Sequence, residues 1–286
     1  MKKSFWIIAA MAGVLFTACE NGDRDFPDFK YSAVYFAYQS PIRTITLGED
    51  PSVDNSLDNE HKCQIMATIA GVYENKKNVE IGIRVDNSLC DGYTFESTKG
   101  DIMPLPTSHY TLSDDKIVIK KGQVLGGVTV NLTDAFFNDP KATELNYVIP
   151  VVMTGVQNAD SILEGKPSVD TPDRVNKEDW EVQSKDYILY AVKYISKYDS
   201  HYLRRGVDTY TGNKTGTEVR HAANVEKDET IGGFSTLGLN KVQWERPTKD
   251  AAGKNVEANL ILTFDESGNC VITSNTEGVE ANGSGK

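Results

Sequence analysis

Aromatic and cationic side chains in the second half of the chain are the residues whose types could bind a carbohydrate. Trp180, Tyr210 and Trp244 carry flat rings of the kind that pack against the C–H groups of a sugar. Arg204 and Arg205 could donate paired hydrogen bonds to the carboxylate of an acidic sugar. These five residues form the candidate glycan-binding set.

Each candidate also has a purely structural interpretation. Trp244 follows Val242 by two residues, so the two side chains share one face of a strand. Core packing is therefore the favoured role for Trp244. Tyr210 lies in a turn-rich run, which favours exposure of its ring. For Arg204 and Arg205 the favoured role is pairing with the acidic excess of the chain, which has 41 acidic and 30 basic residues.

No catalytic constellation is recognisable in the sequence. Glycoside hydrolysis needs two carboxylates at a set separation, and no motif singles out such a pair among the 41 acidic residues. The chain contains no nucleophile elbow, phosphate-binding loop or zinc-protease helix motif. Its four histidines and four cysteines lack metal-ligand spacing. We therefore expect a protein that is not an enzyme and that needs no metal or cofactor.

The formal net charge of −11 limits the class of partner. A surface of this sign repels nucleic acid and anionic lipid head groups. Neutral partners such as glycans are more compatible with it, although solubility alone would also account for the charge.

The N-terminus has the pattern of an exported protein. Lys2 and Lys3 precede an uncharged apolar run over residues 5–16, which is too short to span a bilayer. The run ends in Phe16-Thr17-Ala18-Cys19, which resembles a bacterial lipoprotein signal. The resemblance implies a signal peptide over residues 1–18 and lipid on Cys19, which would anchor the protein to a membrane without spanning it.

The segment that follows Cys19 is acidic and polar. Residues 19–29 read as a tether and resemble the short signal that sends Bacteroidetes lipoproteins to the outer cell face. We therefore expect a lipid-anchored protein of the outer membrane that faces the cell exterior, with the periplasmic orientation left open.

Two-residue alternation of apolar and polar side chains predicts an all-β chain. It is clearest at residues 79–85, 117–120 and 128–132, while residues 134–143 predict one short helix. Residues 186–196 also fit helical spacing, but their aromatic and β-branched content favours a strand. Residues 234–244 predict a further strand, and residues 265–269 predict a turn. The spacing favours an immunoglobulin-like β-sandwich over residues 30–163 and a second β-sandwich or barrel over residues 185–286. Residues 164–184 are rich in proline and charge and read as a linker. Residues 278–286 begin a strand-like segment and stop, so we expect the second domain to be incomplete.

Cys63 and Cys90 flank a predicted hairpin centred near Asn75. Pairing of its two strands would bring the cysteines near each other, and an exported protein can form a disulfide. Two buried free thiols are an equally good interpretation, because a free cysteine packs as a small apolar side chain.

Six blocks of the chain occur in a recognisable order. They are Asp58-Asn59-Glu60-His61-Lys62, Val85-Asp86-Asn87-Ser88-Leu89-Cys90, Leu105-Pro106-Thr107-Ser108-His109-Tyr110, Leu132-Thr133-Asp134-Ala135-Phe136-Phe137, Tyr147-Val148-Ile149-Pro150-Val151 and Tyr202-Leu203-Arg204-Arg205-Gly206. Together these blocks resemble one family of Bacteroides surface lipoproteins. The N-terminal blocks are similar to the domain DUF1735 over residues 30–165, and the last block and the strands after it are similar to the domain DUF4361.

The resemblance implies a function at the cell surface. It implies capture of glycans, of a kind the sequence does not name, beside importers of the starch-utilisation type. The alternatives are a structural or adhesion lipoprotein that binds protein partners, and an accessory module of a glycoside hydrolase.

Overall fold

The computed structural model describes residues 29–212, 215–249 and 252–286. The signal peptide and Cys19 lie outside the described residues. The described chain is almost entirely β, as the alternation predicts. None of its helices is long and apolar enough to cross a membrane.

The first part of the chain builds one large sheet. Its strands are β1 (Ala33–Tyr35), β2 (Ile42–Thr46), β3 (Lys62–Ala70), β4 (Val79–Val85), β5 (Met103–Pro104), β6 (Tyr110–Leu112), β7 (Lys116–Ile119), β8 (Leu125–Leu132), β9 (Tyr147–Gln157), β10 (Ser161–Ile162) and β13 (Tyr187–Ile195). The small pair β11 (Lys166–Pro167) and β12 (Trp180–Val182) stands apart from it.

Short helical turns connect these strands. They are α1 (Ser56–Asn59), α2 (Asp134–Phe137) and the 3-10 turns Asn87–Cys90, Pro140–Thr143 and Lys177–Asp179. The helix predicted over residues 134–143 is confirmed as α2 followed directly by one of these 3-10 turns.

The strand order explains how the sheet encloses a core. The order is β10-β1-β3-β8-β7-β4-β9-β13-β2, with β5 added beside β9 and β6 beside β8. β1 and β2 follow each other in the chain but lie near opposite ends of this order. Val34, Phe36 and Ile45 nevertheless share one buried cluster, so the sheet curls until its two ends meet over the same core.

Apolar residues cover both faces of the neighbouring strands β9 and β13. Ile149 and Tyr194 belong to the main core, whereas Val148 and Leu189 belong to a second cluster on the opposite face of the sheet. This burial on both faces explains why both strands read as continuous apolar runs without alternation.

Two expectations about the first region are wrong. The domain boundary expected at residue 185 places residues 187–195 in the second domain, but this strand pairs with β9 and β2 in the first sheet. The predicted pairing of β3 with β4 does not occur either, because β8 and β7 lie between them. Cys63 and Cys90 are therefore separate, buried free thiols and do not form the disulfide that was considered.

The segment predicted as a linker has local structure of its own. β11 pairs with β12, and Arg174 donates a hydrogen bond to the buried carboxylate of Asp186 at 3.0 Å. Residues 164–184 thus form an excursion that returns to the first sheet at β13.

The last part of the chain forms smaller sheets. β14 (Tyr202–Arg204) pairs with β17 (Glu229–Ile231), and β15 (Gly206–Tyr210) pairs with β16 (Gly216–Arg220). A 3-10 turn, Val225–Lys227, precedes β17. The five-stranded antiparallel sheet follows, with β18 (Phe234–Gly238), β19 (Lys241–Lys249), β20 (Asn255–Phe264), β21 (Cys270–Ser274) and β22 (Gly283–Gly285) in chain order. The strand predicted over residues 234–244 is thus two strands joined by a tight turn.

Hydrogen bonds attach the five-stranded sheet to the end of β13. Thr236 on β18 donates through its backbone nitrogen and its hydroxyl to the carboxylate of Asp199, at 3.1 and 2.8 Å. The backbone nitrogen of Ser196 donates to the Thr236 hydroxyl at 2.9 Å, and the Ser196 hydroxyl donates to the carbonyl of Leu239 at 2.6 Å. Leu239 also packs against the main core, so the position of this sheet is fixed by the first.

Candidate functional site

An apolar cavity of about 220 Å³ opens on one face of the five-stranded sheet. Residues two apart in a strand share a face, and the strand register places the lining residues of neighbouring strands side by side. Two further walls come from β14 and β17. The lining residues are Tyr202, Ile231, Phe234, Trp244, Leu260, Leu262, Phe264 and Ile272.

Aromatic rings form the walls of this cavity. Phe234 and Trp244 are direct partners across β18 and β19, and their rings are nearly parallel, 12° apart with centroids at 5.6 Å. Tyr202 meets Phe234 edge to face at 4.8 Å, and Phe264 stacks on Tyr198 at 3.8 Å. Such contacts hold the rings in fixed orientations, so a ligand meets a preformed surface.

The polar atoms of Tyr202 and Trp244 point away from the cavity, so its lining is apolar. The Tyr202 hydroxyl donates a hydrogen bond to the Tyr198 carbonyl at 2.7 Å, so its polar end is already satisfied. The Trp244 ring is half-buried, and its Nε1 has no hydrogen-bond partner among the described residues. In the described chain no buried side-chain nitrogen lacks a partner. The Trp244 N–H therefore reaches solvent and is free to donate.

A cluster of charged residues lies at the rim, beside Trp244. Asp208 accepts hydrogen bonds from Arg220 at 2.5 Å and from Arg204 at 2.8 Å. Glu229 accepts from Arg220 at 3.0 Å and from Arg204 at 3.4 Å. The hydrogen bond from Arg220 and the positive charges of Arg220 and Arg204 lower the pKa of Asp208. The Asp208 carboxylate is therefore ionised and held in place throughout the neutral range.

Two guanidinium groups flank the Trp244 ring directly. The guanidinium carbon of Arg204 lies 5.9 Å from the ring centroid, and that of Arg246 lies 5.5 Å from it. Cations at this distance are attracted by the π-face of an indole. The aromatic wall and the charged rim thus meet at Trp244.

The sequence candidates fall in different places. Trp244 and Arg204 lie at the cavity. Tyr210 lies in the charged cluster, where its hydroxyl donates to Glu218 at 2.9 Å. Arg205 pairs instead with Asp228 at 2.6 Å, and Trp180 lies on β12, where its Nε1 donates to the carbonyl of Asp173 at 2.7 Å. The structure brings three of the five candidates together and leaves Trp180 and Arg205 outside the cavity.

Sequence reasoning missed most of the cavity. The missed residues are Tyr202, Ile231, Phe234, Leu260, Leu262, Phe264 and Ile272, together with Arg246 at the rim. A signal was present in β20, where Leu260, Leu262 and Phe264 recur at every second position. That pattern identifies an apolar face of the strand but does not say that part of this face lines an open cavity.

No group of His, Cys, Asp or Glu in the described ranges could hold a metal ion. Burial raises the pKa of the Cys63 and Cys90 thiols to about 11. Both thiols are therefore protonated at neutral pH, which makes them poor nucleophiles.

Comparison with protein families matches the two halves of the chain separately. A family model described as an N-terminal domain matches residues 29–160, and the model of DUF5627, a domain of unknown function, matches residues 197–286. The family model for the second half is thus DUF5627, where the sequence resemblance had named DUF4361. No curated protein matches the chain.

Solved structures include a similar protein and more distant ones. A Bacteroides ovatus protein of unknown function is 46% identical, with a TM-score of 0.85 over 90% of this chain and 82% of that one. A multidomain Bacteroides ovatus protein that includes DUF1735 is 12% identical, with a TM-score of 0.43 over 87% and 72% of the two chains. An auxiliary nutrient binding protein from Bacteroides thetaiotaomicron is 11% identical, with a TM-score of 0.38 over 84% and 70%.

Proposed function

This chain belongs to the same family as the Bacteroides ovatus protein with which it shares 46% identity, and on that premise we propose that it is a non-catalytic glycan-binding lipoprotein of the outer membrane. The observation that carries the proposal is the open aromatic cavity on the five-stranded sheet. Tyr202, Phe234 and Trp244 there form a fixed surface that a sugar ring can cover.

The chemistry of the cavity suits the less polar face of a sugar ring. A pyranose ring has C–H groups on its faces and hydroxyls around its edge, so it can stack on an indole while its hydroxyls stay in water. The volume of about 220 Å³ lies below the roughly 300–1,000 Å³ of sites that enclose a drug-sized ligand. The cavity therefore accepts the apolar face of one ring of a glycan, with the ring hydroxyls and the rest of the glycan in solvent.

The anchor of the proposed lipoprotein rests on the sequence. Lipid on Cys19 would hold the protein at the outer membrane through the acidic tether of residues 19–29. Display toward the cell exterior would place the cavity where glycans arrive, and importers of the starch-utilisation type are the partners that would receive them.

Glycan binding is tested by isothermal titration of the full chain with a panel of oligosaccharides. We expect at least one glycan to bind and Trp244→Ala to lose that binding, because the indole face supplies the stacking surface. Trp180→Ala is the matched control, since Trp180 lies outside the cavity, and it should retain binding. Circular dichroism should show that both variants are folded. Absence of binding across the panel, or an equal loss of binding in the two folded variants, would contradict the proposal.

The anchor has a separate test. Cells that express the chain with labelled palmitate should incorporate label into it, and Cys19→Ala should abolish the incorporation. Unlabelled wild-type protein would rule out the lipid anchor and leave the glycan site to be judged by titration.

Protein binding is the second candidate function, and an exposed apolar pair favours it. Val207 and Val219 are direct partners across β15 and β16, and their exposed fractions are 61% and 67%. Contact with another protein would remove these two apolar side chains from water, which is favourable. Pull-down from outer membranes with wild type and a Val207→Ser, Val219→Ser variant distinguishes this candidate, because the double variant should lose protein partners and keep glycan binding.

A further inference from the structure

Arg246 is the rim residue whose hydrogen-bonding capacity is least used. It follows Trp244 by two residues on β19, so the two side chains leave the same face of the sheet. Its side chain is 34% exposed, and its ion pair with the described residues is a contact of 3.7 Å to Asp208. A guanidinium has five N–H donors, so Arg246 retains donors for a ligand.

The neighbouring arginines are already committed to protein carboxylates. Arg204 binds Asp208 and Glu229, and Arg220 binds Asp208, Glu218 and Glu229. These five contacts range from 2.5 to 3.4 Å, all shorter than the contact of Arg246. A ligand that used Arg204 or Arg220 would have to break such a pair, whereas a ligand that used Arg246 would not.

Loss of the Arg246 contact leaves Asp208 well satisfied. Its two oxygens keep the hydrogen bonds from Arg220 and Arg204, which also lower its pKa. A ligand carboxylate that replaces Asp208 as the partner of Arg246 therefore breaks no close ion pair. The guanidinium carbon of Arg246 lies 5.5 Å from the centre of the Trp244 ring, and that ring lines the cavity.

From this geometry, and on the basis of the proposed function, we infer that the site selects an acidic sugar of the uronic acid class. One face of the uronic acid ring stacks on Trp244 at the mouth of the cavity, with its hydroxyls in water, and its carboxylate accepts hydrogen bonds from Arg246 at the rim. A planar carboxylate matches the fork of a guanidinium, and a neutral hydroxymethyl group at the same ring position does not. The free N–H of Trp244 supplies one more donor for the ring or carboxylate oxygens.

The inference explains how a chain of net charge −11 would bind an anion. The rim cluster contains Arg204, Arg220 and Arg246 against Asp208, Glu218 and Glu229, so its charges balance locally. The carboxylate of the ligand contacts an arginine directly. The repulsion from the acidic remainder of the surface is screened by salt over about 8 Å at physiological ionic strength.

The test compares sugars that differ only in the carboxylate. The full chain is titrated with the methyl glycosides of glucuronic, galacturonic and mannuronic acid, each paired with its neutral hexose counterpart. We expect at least one acid to bind about tenfold or more tightly than its neutral partner, as one charge-assisted hydrogen-bonded pair provides. High salt should lower the ratio of the two affinities, because it screens the charge–charge attraction.

Variants separate this inference from the function on which it rests. Arg246→Gln should reduce the preference for the acid to about twofold or less and leave the neutral sugar unaffected, and Arg246→Lys should keep part of the preference. Arg84→Gln is the control, because Arg84 is exposed on β4 and pairs with Asp86 in the first sheet. Trp244→Ala should weaken both sugars.

The outcomes are distinct. Equal binding of an acid and its neutral partner, or a preference that persists in Arg246→Gln, would overturn the inference and leave glycan binding at Trp244 intact. Failure of every acidic and neutral sugar to bind would overturn both. Binding of an acidic protein segment in place of a sugar would also overturn the inference if Arg246→Gln abolished that binding, because the occupant would then be a peptide.

Discussion

Tyr194 links β13 to the short helix α2 through one buried hydrogen bond. Its side chain is fully buried, and its hydroxyl donates to the carbonyl of Phe137 at 2.7 Å. Its ring also contacts the rings of Phe136 and Phe137, at centroid distances of 5.8 and 5.1 Å. Because β13 follows the predicted linker, this bond tests whether residues 187–195 are an integral part of the first core.

The substitution Tyr194→Phe removes the hydroxyl and keeps the ring. The Phe137 carbonyl then loses this donor inside the core, where water cannot replace it. A buried group deprived of its partner costs about 1–3 kcal/mol. Burial raises the pKa of Tyr194 to about 12, so the hydroxyl is a protonated donor at neutral pH, where the assay is done.

Urea unfolding followed by circular dichroism measures the effect. With a dependence of about 2 kcal/mol per molar urea, the midpoint should fall by roughly 0.5–1.5 M. Tyr38→Phe is the matched control, since Tyr38 is 78% exposed, and it should change the stability by no more than about 0.5 kcal/mol. Equal midpoints for Tyr194→Phe and wild type would refute the argument that this bond holds β13 in the first core.

Three further predictions concern other parts of the chain. Cys63, whose pKa is raised to about 11 by burial, should not react with a thiol reagent at pH 8 until the protein is unfolded. Gly126→Ala should destabilise the protein by about 1–3 kcal/mol, because a Cβ there would lie 2.4 Å from the carbonyl oxygen of Val118. Asp208→Asn should lower the melting temperature at pH 6, and the difference from wild type should shrink below about pH 4, because a carboxylate whose folded pKa is lowered stabilises the fold only while ionised.

Each of these has a control or a contradicting result. Rapid labelling of Cys63 in the folded protein would mean that the thiol is accessible. Gly155→Ala serves as the control for Gly126→Ala, since a Cβ at Gly155 meets nothing within 4 Å. A melting difference for Asp208→Asn that stays constant from pH 6 to pH 3 would contradict the role assigned to its ionised form.

The sequence alone predicted the local structure well. The alternation at β4, β7 and β8 and the polar turn before β21 depend on neighbouring residues, and the structure has strands and a turn at these places. The turn closes through hydrogen bonds to Asp265, among them one from the backbone nitrogen of Asn269 at 2.8 Å. Such features are determined by side-chain periodicity and turn-forming residues, which a sequence displays directly.

Assignment of β13 shows where sequence reasoning reaches its limit. Apolar side chains over residues 187–194 fit a strand or a buried helix, because a segment covered on both faces has no alternation. The strand type was predicted correctly from its aromatic and β-branched residues. Its sheet was predicted incorrectly, because partner choice depends on contacts with β9 and β2 that are distant in sequence.

The candidate site was determined only by the tertiary structure. The sequence singles out Trp244 and Arg204 for their chemistry, but three features required the register of β18, β19 and β20. These are the parallel stack of Phe234 on Trp244, the cavity that both rings line and the position of Arg246 beside Trp244. Composition and spacing determine which side chains a strand presents. Which of them meet, and which charges remain unpaired, depends on long-range pairing, because each hydrogen-bonded register brings together residues that the sequence keeps apart.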